Sequence, residues 1–281
     1  MTCLHRERHE GVSISINERK FISPPIIITG DTMKILALYN IKGGVGKTSC
    51  AVNLAFNAAQ CGYRTLVWDL DPQGASSYYF RIKPKIKGGG KGLMAGEHEL
   101  EDLIKGTDFE NLDLIPADFS FRNLDLLLDD KKKPTQQLKK RLKPLADEYD
   151  FIFLDCPPSI SLLSEAVFAA ADLLLSPIIP TTLSLRTLVQ LKEFIADHGL
   201  KSTRLMPFFS MVDSRKKMHK ALMCEALANY PEMLTTAIPH ASDVERMGVE
   251  RKPLGAYSGK SRSAQAYREL WQEILARSLM Q

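Results

Sequence analysis

The stretch Asn40-Ile41-Lys42-Gly43-Gly44-Val45-Gly46-Lys47-Thr48 limits what this chain can become more than any other. It follows an apolar run, Ile35 to Tyr39, and leads into Ser49 to Ala59, where nearly every residue is apolar or a helix former. Strand, glycine loop and helix in that order make a cradle for phosphate. Glycines let backbone N–H groups close on an anion, and the helix N-terminus adds its dipole. In such a cradle Lys47 reaches the β- and γ-phosphates of a nucleotide and the Thr48 hydroxyl sits on Mg²⁺. A glycine turn with solvated lysines would have no reason to keep strand, loop and helix in this register.

From Met33 onward, apolar strand-like runs alternate with helical ones. This predicts an α/β fold, a mostly parallel twisted sheet with helices on both faces, forming a single domain over 33–281. The first helix is expected to stop near Gly62. Two strands end in acid: Arg64 to Asp71, and Phe151 to Asp155. Buried parallel strands that deliver a carboxylate to the ligand edge have this form. Further strands are expected at Leu112–Ala117, Leu173–Ile179, Leu205–Val212 and, briefly, Thr235–Pro239. Helices are expected at Ser161–Ala171, Leu183–His198, Lys216–Leu227 and Ser263–Leu279, with a helix-compatible segment at Asp129–Tyr149 interrupted by Pro144. The segment Pro180 to Leu185 reads either as one that responds to nucleotide state or as a plain helix cap by Thr182. Residues 1–32 read as an N-terminal extension, either a loose arm or an added edge strand.

Between Arg81 and Gly92, five of twelve residues are basic and none acidic. So little of it is apolar that it reads as a solvated, flexible connection, with contact to nucleic acid or cargo as the functional alternative. Lys plus Arg exceed Asp plus Glu by only 37 to 33 over 281 residues, so placement of charge matters more than its sum. The five cysteines are scattered, with no C-x-x-C pair, which argues against a disulfide framework or a zinc site. No apolar run approaches membrane-spanning length.

The ordinary phosphate loop has glycine where this chain has Ile41, and the chain carries a second lysine, Lys42, at the front. Lys-Gly-Gly-x-Gly-Lys-Thr resembles the deviant Walker A box of the ParA/MinD group of P-loop ATPases. Asp69-Leu70-Asp71-Pro72-Gln73-Gly74 and Asp155-Cys156-Pro157-Pro158-Ser159 narrow the resemblance to ParA-type partition ATPases, over nearly all of Met33 to Gln281. Nitrogenase-type iron proteins share the loop, but their cluster cysteines have no match here.

The resemblance implies a weak ATPase using ATP and Mg²⁺. The nucleotide would lie against Lys42, Gly43, Gly44, Val45, Gly46, Lys47, Thr48 and Ser49, with Met211 and Pro239 near the base by fold position. Lys42, Lys47 and Asp71 are the catalytic candidates, and Thr48, Asp71 and Asp155 the metal candidates. Asp71 would hold the attacking water, while Asp69 either joins the site or caps the turn. The family further implies a homodimer closed over ATP, with Lys42 crossing between subunits, and non-specific DNA binding at the nucleoid in the cytoplasm. A ParB-like or cargo-adaptor protein would stimulate hydrolysis. Arg215, Lys216, Lys217, Lys220, Arg246, Arg251, Lys252 and Arg262 are the candidate DNA contacts. A MinD-like membrane regulator is the alternative, but the helix at Ser263–Leu279 carries no basic excess and reads as packed on the domain rather than on lipid. A DNA-binding regulator using ATP as a switch is a second rival, and no helix-turn-helix pattern supports it.

Overall fold

The computed structural model describes residues 33–199 and 203–279. The proposed extension, 1–32, lies outside them. Seven strands form one sheet: β1 (Lys34–Leu38), β2 (Thr65–Asp69), β3 (Lys105–Gly106), β4 (Leu112–Ile115), β5 (Phe151–Asp155), β6 (Leu173–Ile178) and β7 (Arg204–Phe209). Their order is β3-β4-β2-β5-β1-β6-β7. All pairs are parallel except β3 with β4, so the expected α/β fold is present with one antiparallel edge.

The helices are α1 (Lys47–Gln60), α2 (Ala75–Tyr79), α3 (Gly89–Ala95), α4 (Leu124–Asp129), α5 (Gln137–Leu142) and α6 (Leu162–Ala170), followed by α7 (Thr182–Asp197), α8 (Lys217–Asn229), α9 (Ser242–Glu245), α10 (Met247–Glu250), α11 (Leu254–Ser258) and α12 (Arg262–Leu279). Strand side chains alternate between the two faces of the sheet, as a period of two requires. Leu36, Leu38, Phe151 and Phe153 join the core under α1 and α12, while Ile35, Ala37, Ile152 and Leu154 join the one under α4, α5 and α6.

Helix α12 presents Tyr267, Leu270, Trp271, Ile274 and Leu275 on one buried stripe. Trp271 sets its ring edge-on to Phe151, with centroids 5.0 Å apart. Burying each such side chain contributes about 1.5–3 kcal/mol. The stripe lies against the sheet and α1, as expected for a helix packed on the domain. Among the described residues no helix is long and apolar enough to cross a membrane.

Five expectations are corrected. The Arg81–Gly92 segment is not a loose connection: Ile86 is buried, its N–H donates to Asp118 Oδ2 at 3.1 Å, and the glycines run into α3. Asp118 and Ser120, far along the sequence, supply the anchors the segment itself lacks. Thr235–Pro239 is not a strand; Pro239 makes only a single parallel bridge to Val212. Asp129–Tyr149 breaks into α5 and short 3-10 turns, with Pro144 inside the turn Lys143–Asp147. The cap of α7 is Thr181, whose Oγ1 accepts from Ser184 N–H at 3.3 Å, and not Thr182. The Leu205–Val212 strand ends at Phe209, because Met211 turns into the left-handed region at φ +55.

Candidate nucleotide-binding site

The glycine loop leaves β1, which lies between β5 and β6. Asn40, buried at the strand end, ties the loop down in two directions. Its Nδ2 donates to Pro177 O on β6 at 2.9 Å, and its Oδ1 accepts from Lys42 N–H at 2.9 Å. Gly44 and Gly46 adopt φ +72 and +93, values that only glycine takes cheaply. A Cβ at Gly46 would also stand 3.1 Å from Ser210 Oγ. Gly46 opens α1 without any side-chain cap, so the first N–H groups of the helix keep their anion-binding capacity.

A cavity of about 380 Å³ opens at this point. Gly43, Gly44, Gly46, Lys47, Thr48 and Ser49 line it on one side, and Met211, Pro239 and His240 on the other, with Asp71 between. Val45 points into the core instead, 1% exposed. Lys47 is nearly buried, and its Nζ donates to Lys42 O at 3.1 Å. Burial holds the ammonium below its ordinary pKa, while Asp155 draws it back up.

The register of β2 and β5 sets Asp69 directly beside Asp155 at the sheet's carboxyl edge. Both are fully buried. Asp69 Oδ2 accepts from Ser77 N–H at 2.8 Å and Ser77 Oγ at 2.7 Å, which places Asp69 as a cap on α2. Asp155 Oδ2 accepts from Ser76 Oγ at 2.8 Å. Two consecutive serines therefore tie α2 to the two carboxylates. Sequence reasoning missed both serines; their place two and three residues after Gly74, at a helix start, was the available signal.

Burial pushes both carboxyls above the ordinary carboxylate range. The neighbouring Asp155 charge raises Asp69 further, and the Ser76 and Thr48 hydroxyls pull Asp155 back down. Each acid keeps a buried Oδ1 with no hydrogen-bond partner. The Asp155 carboxylate, beside the Thr48 hydroxyl, suits a hard divalent cation. Among the described residues no three His, Cys, Asp or Glu side chains converge to hold a metal alone. An ion here would complete its shell with phosphate and water, as Mg²⁺ commonly does. Asp71 is half-buried, and its Oδ1 accepts from Gln73 N–H at 2.9 Å, which holds the carboxylate at the mouth of the cavity.

The candidate DNA contacts are less uniform. Lys216, Lys217 and Lys220 are exposed around the start of α8, and no ion pair engages them among the described residues. Arg215, though 87% exposed at its side chain, is held in a fork by Asp213, with both contacts at 2.9 Å. Arg246 pairs with Glu250 at 2.7 Å. Arg251 lies over the Tyr78 ring, 4.4 Å from its centroid, and donates to Tyr78 O at 3.1 Å. Lys252 is half-buried and Arg262 is exposed.

A phosphate loop between the sheet and α1, flanked by carboxylates from neighbouring strands, defines the class: a P-loop nucleoside triphosphatase. The family model described as an AAA domain matches residues 33–204. The chain is 30% identical over 249 residues to the chromosome-partitioning ATPase Soj of Treponema pallidum, covering 87% of this chain and 98% of that protein. It is 31% identical over 250 residues to the chromosome partitioning protein ParA of Myxococcus xanthus, covering 87% and 88%. Among solved structures, cobyrinic acid a,c-diamide synthase of Mycobacterium smegmatis, with ADP and magnesium bound, superposes with a TM-score of 0.74 at 26% identity, over 86% of this chain and 94% of that one. A putative plasmid partition protein of Borrelia burgdorferi, bound to AMPPNP, shares the fold with a TM-score of 0.76 at 22% identity, over 87% and 99%. The chain belongs to the ParA/Soj family of partition ATPases, and its cofactors are ATP and Mg²⁺.

Proposed function

We propose that this ATPase positions a cargo by cycling between a DNA-bound dimer closed over two ATP molecules and released subunits. Lys47 and the N–H groups opening α1 hold the β- and γ-phosphates. Thr48 and Asp155 hold Mg²⁺, which when bound neutralises charge developing on the phosphate oxygens. Asp71 orients the attacking water at the cavity mouth. Asp69 keeps α2 in place and so sets where Asp71 sits, a positioning role.

One observation carries the dimer. The backbone of Lys42 is engaged at both ends, N–H to Asn40 and C=O to Lys47, while among the described residues its ammonium meets no partner. A lysine held this firmly by its main chain, with its charge unpaired beside a phosphate cavity, suits a phosphate held by a second subunit. In the dimer the exposed lysines of α8 would meet DNA phosphates without reading sequence. A partner protein would then trigger hydrolysis and release.

The decisive measurement is the mass in solution of Asp71→Ala with saturating ATP and Mg²⁺. A dimer that binds duplex DNA supports the cycle, and a persistent monomer overturns it. Lys42→Ala should keep nucleotide binding and lose dimerisation.

A further inference from the structure

A second cavity, of about 490 Å³, opens at the β3 edge of the sheet. Lys83, Lys85, Lys87 and Lys105 surround it, all exposed, and among the described residues none has an ion-pair or side-chain hydrogen-bond partner. Its floor is apolar: Ile82, Ile86, Leu103 and Pro116 line it, the last three buried. The single carboxylate in the lining is Asp102.

The wall carrying three of these lysines is held in place. Besides the Asp118 anchor on Ile86, a Cβ on Gly74 would come within 2.8 Å of Pro84 Cβ, so this loop packs tightly on the turn that follows Asp71. Lys105 alone would do no more than guard an edge strand against pairing. Lys85 lends its charge to the Asp118 carboxylate, but among the described residues no carboxylate pairs with any of the four, and cations crowded around one concavity repel one another. Beside them β3 pairs only with β4, which leaves its outer main-chain groups without a strand partner.

We propose that this cavity docks an extended acidic segment of another protein, laid along β3 with carboxylates and apolar side chains alternating. The lysines complement the carboxylates, the floor takes an apolar anchor, and the β3 edge pairs with the incoming backbone. Because side chains on a strand alternate in direction, one segment satisfies floor and rim together. Duplex DNA fits less well. It has no apolar group to fill the floor, and Asp102 would face its phosphates. The site is separate from the α8 lysines and operates without nucleotide or dimer, so it does not depend on the cycle above.

The test uses the full chain without nucleotide and a fluorescent peptide of alternating glutamate and leucine, read by anisotropy. Saturable binding is expected. Lys83→Glu/Lys85→Glu/Lys87→Glu should weaken it at least about tenfold, and Lys105→Glu alone about threefold. A duplex DNA probe, measured separately with ATP and Mg²⁺ present, should keep its wild-type affinity in both variants. Peptide binding that is absent, or unchanged in both variants, overturns the proposal. So does a peptide that fails to bind while the variants lose DNA, which would make the cavity a nucleic-acid site. If the triple variant fails to fold, Lys105→Glu decides alone.

Discussion

Lys47 and Lys217 carry the same charge on the same stem, yet the two regions that hold them treat it in opposite ways. Lys47 is 7% exposed, opens α1 after a loop fixed by Asn40 and faces the buried Asp155; Lys217 stands in solvent with no partner among the described residues. A charge kept out of water acts strongly and only on what reaches it, whereas an exposed one acts weakly, over a distance set by salt. The phosphate end is thus built for one ligand in one pose. The basic surface suits a long polyanion in any register.

The largest expected break in that contrast is Lys47→Ala. Phosphate release should fall by at least about a hundredfold, since a preorganised charge in a water-poor site is removed. A loss of less than about tenfold would mean that Lys47 is no more special than a surface lysine. Gly46→Ala comes next. A side chain at φ +93, with its Cβ 3.1 Å from Ser210 Oγ, should cost about 1–3 kcal/mol of stability and lower ATP affinity, read by thermal melts with and without nucleotide.

Asp69→Asn tests whether burial of charge is what marks this end. Both buried carboxyls have folded pKa values raised above the unfolded value near 4. Their contribution to stability is therefore fullest in acid and is lost as pH rises out of the ordinary carboxylate range. The amide oxygen introduced by this substitution can still accept from Ser77 without the buried charge. The variant should gain about 1–2 kcal/mol over wild type at neutral pH, and the gap should close in acid. A gap independent of pH would contradict the assignment.

Smallest are the changes on the basic surface. Lys217→Ala and Lys220→Ala should each flatten the dependence of log DNA affinity on log salt by about 0.9. Arg215→Ala should flatten it less, because Asp213 already occupies that guanidinium. Equal slopes for all three variants would show that the Asp213 fork opens on DNA.

The same contrast explains what could be read in the chain beforehand. That Lys47, Thr48 and Asp71 share one cavity was legible because a phosphate cradle sets residue types at fixed offsets from a strand and a helix. The alternating strands were legible because burial on both faces demands apolar runs. Packing between distant segments leaves no such local mark. Nothing near Ile86 announces Asp118, so the glycine-rich segment looked loose. Arg215 and Lys217 look alike in the chain; only the fork from Asp213 separates them.

Helix α1, which opens at the phosphate loop, is closed over by residues very far along the polypeptide. Asn53 Oδ1 accepts from Leu254 N–H across 201 positions, and Cys50 meets Tyr267 across 217. Such long loops make folding slow, since their closure entropy must be met before the contact forms. Until they close, the apolar side of α1 stays bare and invites aggregation. Nucleotide affinity should therefore appear late in refolding, together with the burial of Trp271.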